Sequence, residues 1–129
     1  MSRRIITALI APIFLSGCAH LSQATWKIDQ SDAMRIALVE RVPAGTNVAT
    51  ARRLMESEGF TCEPKRNSTF FEQTSWQSDG TTRHDDIDYL ECRRTQNAGF
   101  MMSREWTVAL VLNGDAVSDI LISYILDGP

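Results

Sequence analysis

The chain has 129 residues, enough for one domain, and its 43% hydrophobic and 22% charged residues are ordinary for a globular protein. Its formal net charge is −3. Nucleic acid requires a concentrated basic face, so this acidic chain predicts no nucleic-acid partner. The basic pairs Arg52-Arg53, Lys65-Arg66 and Arg93-Arg94 all have acidic neighbours and are predicted to be solvated surface.

The first seventeen residues have the pattern of a secretory signal peptide. Arg3 and Arg4 give a positively charged start, and an almost wholly apolar run follows from Ile5 to Leu15. This run is too short to span a bilayer, which takes about 20 helical residues. The alternative for the run is a buried N-terminal helix or strand.

The four residues that close this segment, Leu15-Ser16-Gly17-Cys18, resemble the bacterial lipobox at every position. The small Ser16 and Gly17 leave room for a peptidase beside the cleavage point. The resemblance implies a bacterial lipoprotein, cleaved before Cys18, whose Cys18 thiol carries lipid that holds it on a membrane without spanning it. Ala19 stands where an Asp would retain such a protein at the inner membrane, so the resemblance implies the periplasmic face of the outer membrane.

These features divide the chain into a signal peptide over residues 1–17, a lipidated tether over residues 18–30 and a domain over residues 31–129. Trp26 is an isolated aromatic residue in the tether. It could rest at the membrane interface or dock on the domain, and the sequence does not distinguish these alternatives.

Besides Cys18, the chain contains Cys62 and Cys92. Two cysteines in an exported, oxidising compartment predict one disulfide. Closing this loop of about 31 residues would stabilise the fold by roughly 3.5–4 kcal/mol in the chain-entropy model. The alternative is a pair of free thiols that serve as metal ligands or nucleophiles, which neither a CxxC spacing nor a nearby His supports.

A short first helix is predicted over Ala33 to Val42, with Ser31 as its N-cap and Asp32 in its first turn. One side of this helix would carry Met34, Ala37, Leu38 and Arg41. Pro43-Ala44-Gly45 then interrupts it.

A second helix is predicted to begin after Thr46 or Asn47 and to run to about Glu58. Gly59 follows where a left-handed C-cap residue belongs. Its apolar stripe at helical spacing comprises Val48, Ala51, Leu54 and Met55.

The rest of the chain contains five strand-like segments and predicts a mainly antiparallel sheet of about four strands. The predicted strands are Phe60–Cys62, Thr69–Trp76, Ile87–Arg94, Arg104–Leu112 and Val117–Leu126, with loops over Gln77–Asp86 and Gln96–Met101. Asn113-Gly114 is a strong hairpin signal because both residues accept positive φ. The last strand is apolar on both faces, so it should be central or covered on both sides. The predicted fold class is therefore α+β, with one or two N-terminal helices packed on the sheet.

Three segments carry a family resemblance: Val42-Pro43-Ala44-Gly45-Thr46, the helix ending in Glu58-Gly59-Phe60, and the closing hairpin from Trp106 to Leu126. With the lipobox, this layout resembles the SmpA/OmlA group, small lipoproteins of the outer-membrane protein assembly machine. The resemblance covers residues 42–126. The chain departs from it by lacking the Gly-x-Pro after the helix and by carrying the cysteine pair.

The densest polar cluster is Arg83-His84-Asp85-Asp86-Ile87-Asp88. A His beside carboxylates could ligate a divalent metal or act as acid and base. The only other His is His20 in the tether, so further ligands are missing and no metal or cofactor is predicted. We interpret Asp79, His84, Asp85 and Asp86 as a candidate binding loop. With no Gly-x-Ser-x-Gly or Gly-rich phosphate loop either, the chain is predicted not to be an enzyme.

The aromatic residues Phe70, Phe71 and Trp76 could form an exposed strip that binds a peptide or glycan. The alternative is that they belong to the core, where most aromatic residues of a small domain are needed.

The sequence thus predicts a non-catalytic lipoprotein, anchored to the outer membrane by lipid, that binds another envelope protein as an assembly accessory. One alternative is an inhibitor or binder of cell-wall hydrolases such as lysozyme, with the Gln77–Asp86 loop entering the enzyme's cleft. A further hypothesis is a metal-binding or hydrolytic protein that uses His84 and its neighbours.

Overall fold

Two helices and four strands follow one another in the computed structural model, which describes residues 25–73 and 80–128. The elements are α1 (Ser31–Arg41), α2 (Val48–Ser57), β1 (Thr61–Gln73), β2 (Thr81–Gly99), β3 (Met102–Asn113) and β4 (Ala116–Asp127). This is the predicted α+β class. The predicted signal peptide and lipobox, with Cys18, lie outside the described residues. Neither described helix is long and apolar enough to cross a bilayer.

The sheet has the strand order β1-β2-β3-β4, and each strand is antiparallel to its neighbour in the chain. The pairing of β2 with β3 begins only at Tyr89, so the outer half of the β1–β2 hairpin extends past β3. Register shifts between Lys65 and Phe70 accompany a bend there, since bulges bend and twist strands. Gln73 at the end of β1 then pairs in parallel with Ser123 of β4, which closes the sheet on itself.

The main core lies between the helices and one face of the sheet. In α2, Ala51 and Met55 are buried and Val48 and Leu54 pack against the core, which confirms the predicted apolar stripe. The strands contribute Cys62, Leu90, Cys92, Trp106, Val108, Leu110, Val117, Ile120, Ile122 and Tyr124. Along β3, apolar Trp106, Val108 and Leu110 alternate in the sequence, so the period of two places all three on this core face.

A smaller apolar cluster lies on the opposite face of the sheet. It consists of Phe70, Tyr89, Ala109 and Leu121, with Phe70 brought there by the bent outer half of the β1–β2 hairpin. Because Ile120 lies under the helices and Leu121 under Phe70, β4 is covered on both faces. This confirms the prediction from its two apolar faces.

The ends of the helices agree with the sequence except at one cap. Asn47 caps α2 by accepting a hydrogen bond from the backbone N–H of Ala49 at 2.9 Å, and Gly59 follows with φ of +90°. The predicted N-cap Ser31 is wrong by one residue: Gln30 holds that position, without a side-chain bond. Ser31 Oγ is buried with no hydrogen-bond partner among the described residues.

Several predicted strand boundaries are wrong because cross-strand pairing extends the strands through polar sequence. The gap predicted between Cys62 and Thr69 belongs to β1. Thr81–Asp86, predicted as loop, pairs with the end of β1, and Gln96–Gly99 belongs to β2. Backbone hydrogen bonds to a neighbouring strand compensate for the weak strand propensity of these residues.

The β3–β4 hairpin forms where the sequence predicts it, but its turn is displaced by one residue. Asn113 pairs with Ala116, so the two turn residues are Gly114 and Asp115. Only Gly114, with φ of +64°, is left-handed. This is the pattern of a type II′ turn, which takes Gly at its first position, rather than of the expected Asn-Gly turn.

Candidate functional site

A buried polar cluster around Arg94 ties the start of the described chain to the rest of the domain. Arg94 is 3% exposed. Its Nη1 donates to Thr25 Oγ1 at 2.6 Å and to the Glu58 carbonyl at 2.9 Å. Its Nη2 donates to the Thr25 carbonyl at 3.2 Å and to Gln96 Oε1 at 2.8 Å. The fork of one guanidinium thus joins the N-terminal segment, the end of α2 and β2.

Glu58 supplies the negative charge of this cluster from a fully buried position. Its Oε1 accepts from the Thr25 hydroxyl at 2.7 Å and from the Thr25 N–H at 3.3 Å. Its Oε2 lies 3.1 Å from Arg41 Nη1, close enough for an ion pair although no aligned hydrogen bond joins them. The carboxylate therefore compensates two guanidinium groups, which a buried charge requires.

Trp26 docks on this cluster, which decides between the two alternatives that the sequence leaves open. Arg94 Cζ lies 4.1 Å from the centroid of the Trp26 ring and 4.6 Å from that of Phe60, within the range of cation–π contact. Gln96 Nε2 donates to the Trp26 carbonyl at 3.0 Å. A Cβ on Gly59 would lie 2.7 Å from Trp26 Cζ2, so the indole needs glycine there.

Arg94 stays positively charged although its side chain is buried. Desolvation lowers the pKa of the guanidinium to about 10, and the carboxylate of Glu58 opposes this shift. A pKa in that region leaves the guanidinium protonated and positively charged at neutral pH.

Two predictions are corrected by this cluster. Arg94 is buried rather than part of a solvated basic pair, and residues 25–30, predicted as tether, begin with the fully buried Thr25. A signal for Arg94 was present in the sequence. The alternation that places Leu90 and Cys92 on the core face continues to Arg94 and Gln96, which marks an inward-facing arginine.

The two cysteines of the described chain lie directly opposite each other on β1 and β2. Both are buried, and both are free thiols in this structure. Opposite residues of an antiparallel pair have Cα atoms about 4.5–5.5 Å apart, within the range that a disulfide spans. The hydrogen bond between the thiols, with burial, raises the pKa of Cys92, and the same bond lowers that of Cys62. The Cys62–Cys92 disulfide stays a prediction.

The candidate binding loop is a paired strand where it is described. His84 and Asp85 lie on β2 opposite β1, Asp86 has φ of +56° at the bulge, and Asp79 lies outside the described residues. His84 Nε2 lies 3.2 Å from Glu72 Oε1 across the pair. The prediction of a free loop is therefore wrong for His84 to Asp86.

Two acidic side chains of this region are hydrogen-bonded to their neighbours. Asp85 Oδ1 accepts from the hydroxyl of Thr69 and from Arg83 Nε, both at 2.8 Å, and these bonds lower the pKa of Asp85. Asp88 Oδ1 accepts from the N–H of Asn67 at 2.9 Å. Within residues 25–73 and 80–128, no three His, Cys, Asp or Glu side chains are arranged to hold a metal ion.

The predicted aromatic strip is not continuous, because neighbouring residues of a strand point to opposite faces. Phe70 is buried and meets Tyr89 edge to face, with ring centroids 5.5 Å apart at 74°. Phe71, one residue later, points the other way and is 54% exposed, while Trp76 lies outside the described residues. Phe70 and Phe71 therefore do not form a continuous binding surface.

A shallow groove of about 190 Å³ lies between α1 and β4. It is lined by Arg35, Val39, Val42, Ala44 and Val117 to Ile120. Arg35 crosses from helix to strand by donating to the Ile120 carbonyl at 3.1 Å and to Asp119 Oδ1 at 3.0 Å. Val39 in the groove and Ile36 nearby on α1 are 40% and 63% exposed. The groove thus combines apolar surface with a charged rim.

Searches against protein-family models, curated proteins and solved structures gave no match to this chain. The resemblance to the SmpA/OmlA group therefore stays a prediction from the sequence.

Proposed function

We propose that this chain is a non-catalytic bacterial lipoprotein, anchored by lipid on Cys18 at the periplasmic face of the outer membrane, and that its domain binds another envelope protein. The anchor follows from the charged start, the apolar run and the lipobox-like residues Leu15 to Cys18. The lipid holds the compact domain at the membrane surface. This raises the effective concentration of the domain near other proteins of the same membrane.

The observation that carries this proposal is that Arg94 and Glu58 hold Thr25 and Trp26 on the domain by hydrogen bonds and a cation–π contact. It fixes the chain to the domain about seven residues after Cys18. A module that must face a partner in the same membrane gains from a short tether and a fixed point of attachment, because both restrict its orientations. The Arg41–Glu58 ion pair and the buried hydrogen bonds of Arg94 support an anchoring role for these residues rather than a catalytic one.

The α1–β4 groove is the surface at which we propose that the partner protein binds. Exposed Val39 and Ile36 supply apolar area, and the Arg35–Asp119 pair supplies polar groups at the rim. Apolar area with a polar rim is the usual composition of a protein interface.

The anchor is tested by labelling cells with an alkyne analogue of palmitate and measuring the mass of the mature protein. Wild type and Cys62→Ala should both carry label and begin at Cys18. Cys18→Ala should lose the label and leave the membrane fraction. A labelled Cys18→Ala protein, or an unlabelled wild type, would contradict the anchor.

The binding role is tested by placing a photo-crosslinking amino acid at Val39, in the groove, or at the exposed Thr82 on the outer half of the β1–β2 hairpin. We expect one defined envelope protein crosslinked from position 39, not from position 82, and lost in Cys18→Ala. Equal capture from both positions would show that the groove is not the binding surface.

A further inference from the structure

One end of the sheet brings together the start of the described chain, a hairpin tip and the last strand residues. Trp26 is held there by Gln96 near the end of β2. The β2–β3 hairpin ends in the two turn residues Phe100 and Met101, and Ser103 after the turn pairs with Asp127 at the end of β4. The tip therefore lies at the same end as the residues that follow the predicted tether.

This tip is the most exposed apolar feature among the described residues. Phe100 is 89% exposed and Met101 is 68% exposed. They lie in an uncharged stretch from Thr95 to Ser103, in a chain with 22% charged residues. Solvated turns are usually polar, so two large adjacent apolar side chains at a turn indicate a surface that is covered in use.

The length of the tether places a bilayer within reach of the tip. About seven residues separate Cys18 from Thr25, and a chain of that length spans at most about 25 Å. Thr25 bonds Arg94, and Phe100 lies six residues beyond Arg94 along the strand direction, or about 20 Å. A lipid on Cys18 can therefore enter a bilayer whose surface touches Phe100.

We propose that Phe100 and Met101 insert into the interfacial region of the bilayer that holds the lipid anchor, as a second contact between protein and membrane. The inference rests on the lipid anchor of the proposed function. The occupant is a lipid surface rather than a protein because the covalent lipid already brings the membrane to this end. The stretch from Thr95 to Ser103 that forms the tip is uncharged, so its insertion is apolar and insensitive to salt.

The consequence is a defined orientation of the domain on the membrane. Acyl chains at one point and an apolar tip at another restrict rotation about the tether. The β3–β4 turn and the groove residues Val117 to Asp119 then face away from the bilayer, at the other end of β4. A partner could reach the groove without displacing the tip.

The experiment uses the full-length lipidated protein in vesicles of phosphatidylethanolamine and phosphatidylglycerol that contain bromine-labelled acyl chains. A Phe100→Trp variant reports contact of position 100 with lipid. The control is Ile36→Trp, an exposed apolar position beside Arg35, which bonds Ile120 about 23 Å back along β4 from Asp127. The signal of wild type, from its own three tryptophans, is subtracted.

We expect strong quenching at position 100 that is the same at low and high salt, and none above wild type at position 36. Vesicle flotation of the same samples reports the anchor separately. Protein that floats without quenching at position 100 would overturn the inference and leave the anchor in place. Protein that carries no lipid and does not float would overturn both. An indole at position 100 that is shielded in dimeric protein without vesicles would assign the tip to a second copy of the chain and overturn the lipid contact.

Discussion

At the scale of single residues, the close contact between Trp26 and Gly59 is possible because glycine has no side chain. Gly59 has φ of +90°, and its α-carbon faces the indole where a methyl group would lie 2.7 Å from Cζ2. Real Cβ atoms essentially never come so near another atom, so any other residue would displace Trp26 or the helix end. The docking of the N-terminal segment therefore requires glycine at position 59, at the end of α2.

Gly59→Ala should destabilise the domain by more than the matched change Gly45→Ala. Both glycines have φ near +90°, and the left-handed backbone costs an alanine about 1–2 kcal/mol at either site. Gly45 has nothing within 4 Å of an added Cβ, whereas at Gly59 overpacking against Trp26 adds about 1–3 kcal/mol. Urea denaturation measures both. The excess at Gly59 should vanish in a Trp26→Ala background, and its persistence there would contradict the contact.

The carboxylate of Asp85 should titrate below its ordinary pKa because Thr69 and Arg83 donate hydrogen bonds to its charged form. A depressed folded-state pKa contributes stability above the unfolded value, and this is lost as the pH falls through the folded value. NMR titration of the carboxyl carbon measures the pKa, and Thr69→Val should raise it. An unshifted wild-type value would mean that these bonds do not persist in solution.

At the scale of elements, the β1–β2 hairpin carries both the predicted disulfide and the bend that shapes the sheet. Cys62 and Cys92 pair near the start of β1, where both strands lie under the helices. Beyond Lys65 the hairpin shifts register and carries Phe70 over the opposite face. A bond at the cysteine pair would therefore fix the inner half of the hairpin and leave the outer half dependent on the small Phe70 cluster.

Oxidised wild-type protein should be more stable than the same protein in reductant by roughly 3.5–4 kcal/mol, the chain-entropy value for this loop. The reason is that the bond restricts the unfolded chain more than it strains two cysteines already opposite in register. Denaturation with and without reductant, with a thiol count under denaturing conditions, measures the difference. Cys62→Ala should not respond to reductant, and a wild type that behaves the same way would mean that no disulfide forms.

At the scale of the whole molecule, buried charge holds the N-terminal segment on the domain. Arg41, Glu58 and Arg94 come from the end of α1, the end of α2 and β2, and all meet beside Thr25. Removing the one carboxylate leaves two guanidinium groups without compensation, which is more costly than losing a surface ion pair.

Glu58→Gln should destabilise the protein by about 3 kcal/mol and release residues 25–30 from the domain. Trypsin should then cut after the exposed Lys27 earlier than within the helices or sheet. The matched control is Glu56→Gln, which removes an exposed carboxylate 3.5 Å from Arg52 and should cost under about 1 kcal/mol. Equal effects of the two changes on stability and on cleavage would show that the buried cluster does not hold the segment.

By itself, the sequence determined the features that depend on neighbours in the chain. The α+β class, the stripe of α2, its cap at Thr46 or Asn47, Gly59 and the inward face of β3 all follow from local periodicity and backbone preference. The lipobox-like residues and the cysteine pair also come from the sequence alone, and their lipidation and disulfide stay predictions.

Only the tertiary structure decided what depends on partners distant in the chain. The strands extend through polar sequence because a neighbouring strand satisfies their backbone, and the β1–β2 hairpin closes onto β4 because Phe70 finds apolar surface there. The Arg94 cluster was missed for the same reason: a buried guanidinium is stable only beside Thr25 and Glu58, which are far from it in sequence. Local patterns encode which face a residue occupies, whereas charge compensation and strand register are set when the chain has folded.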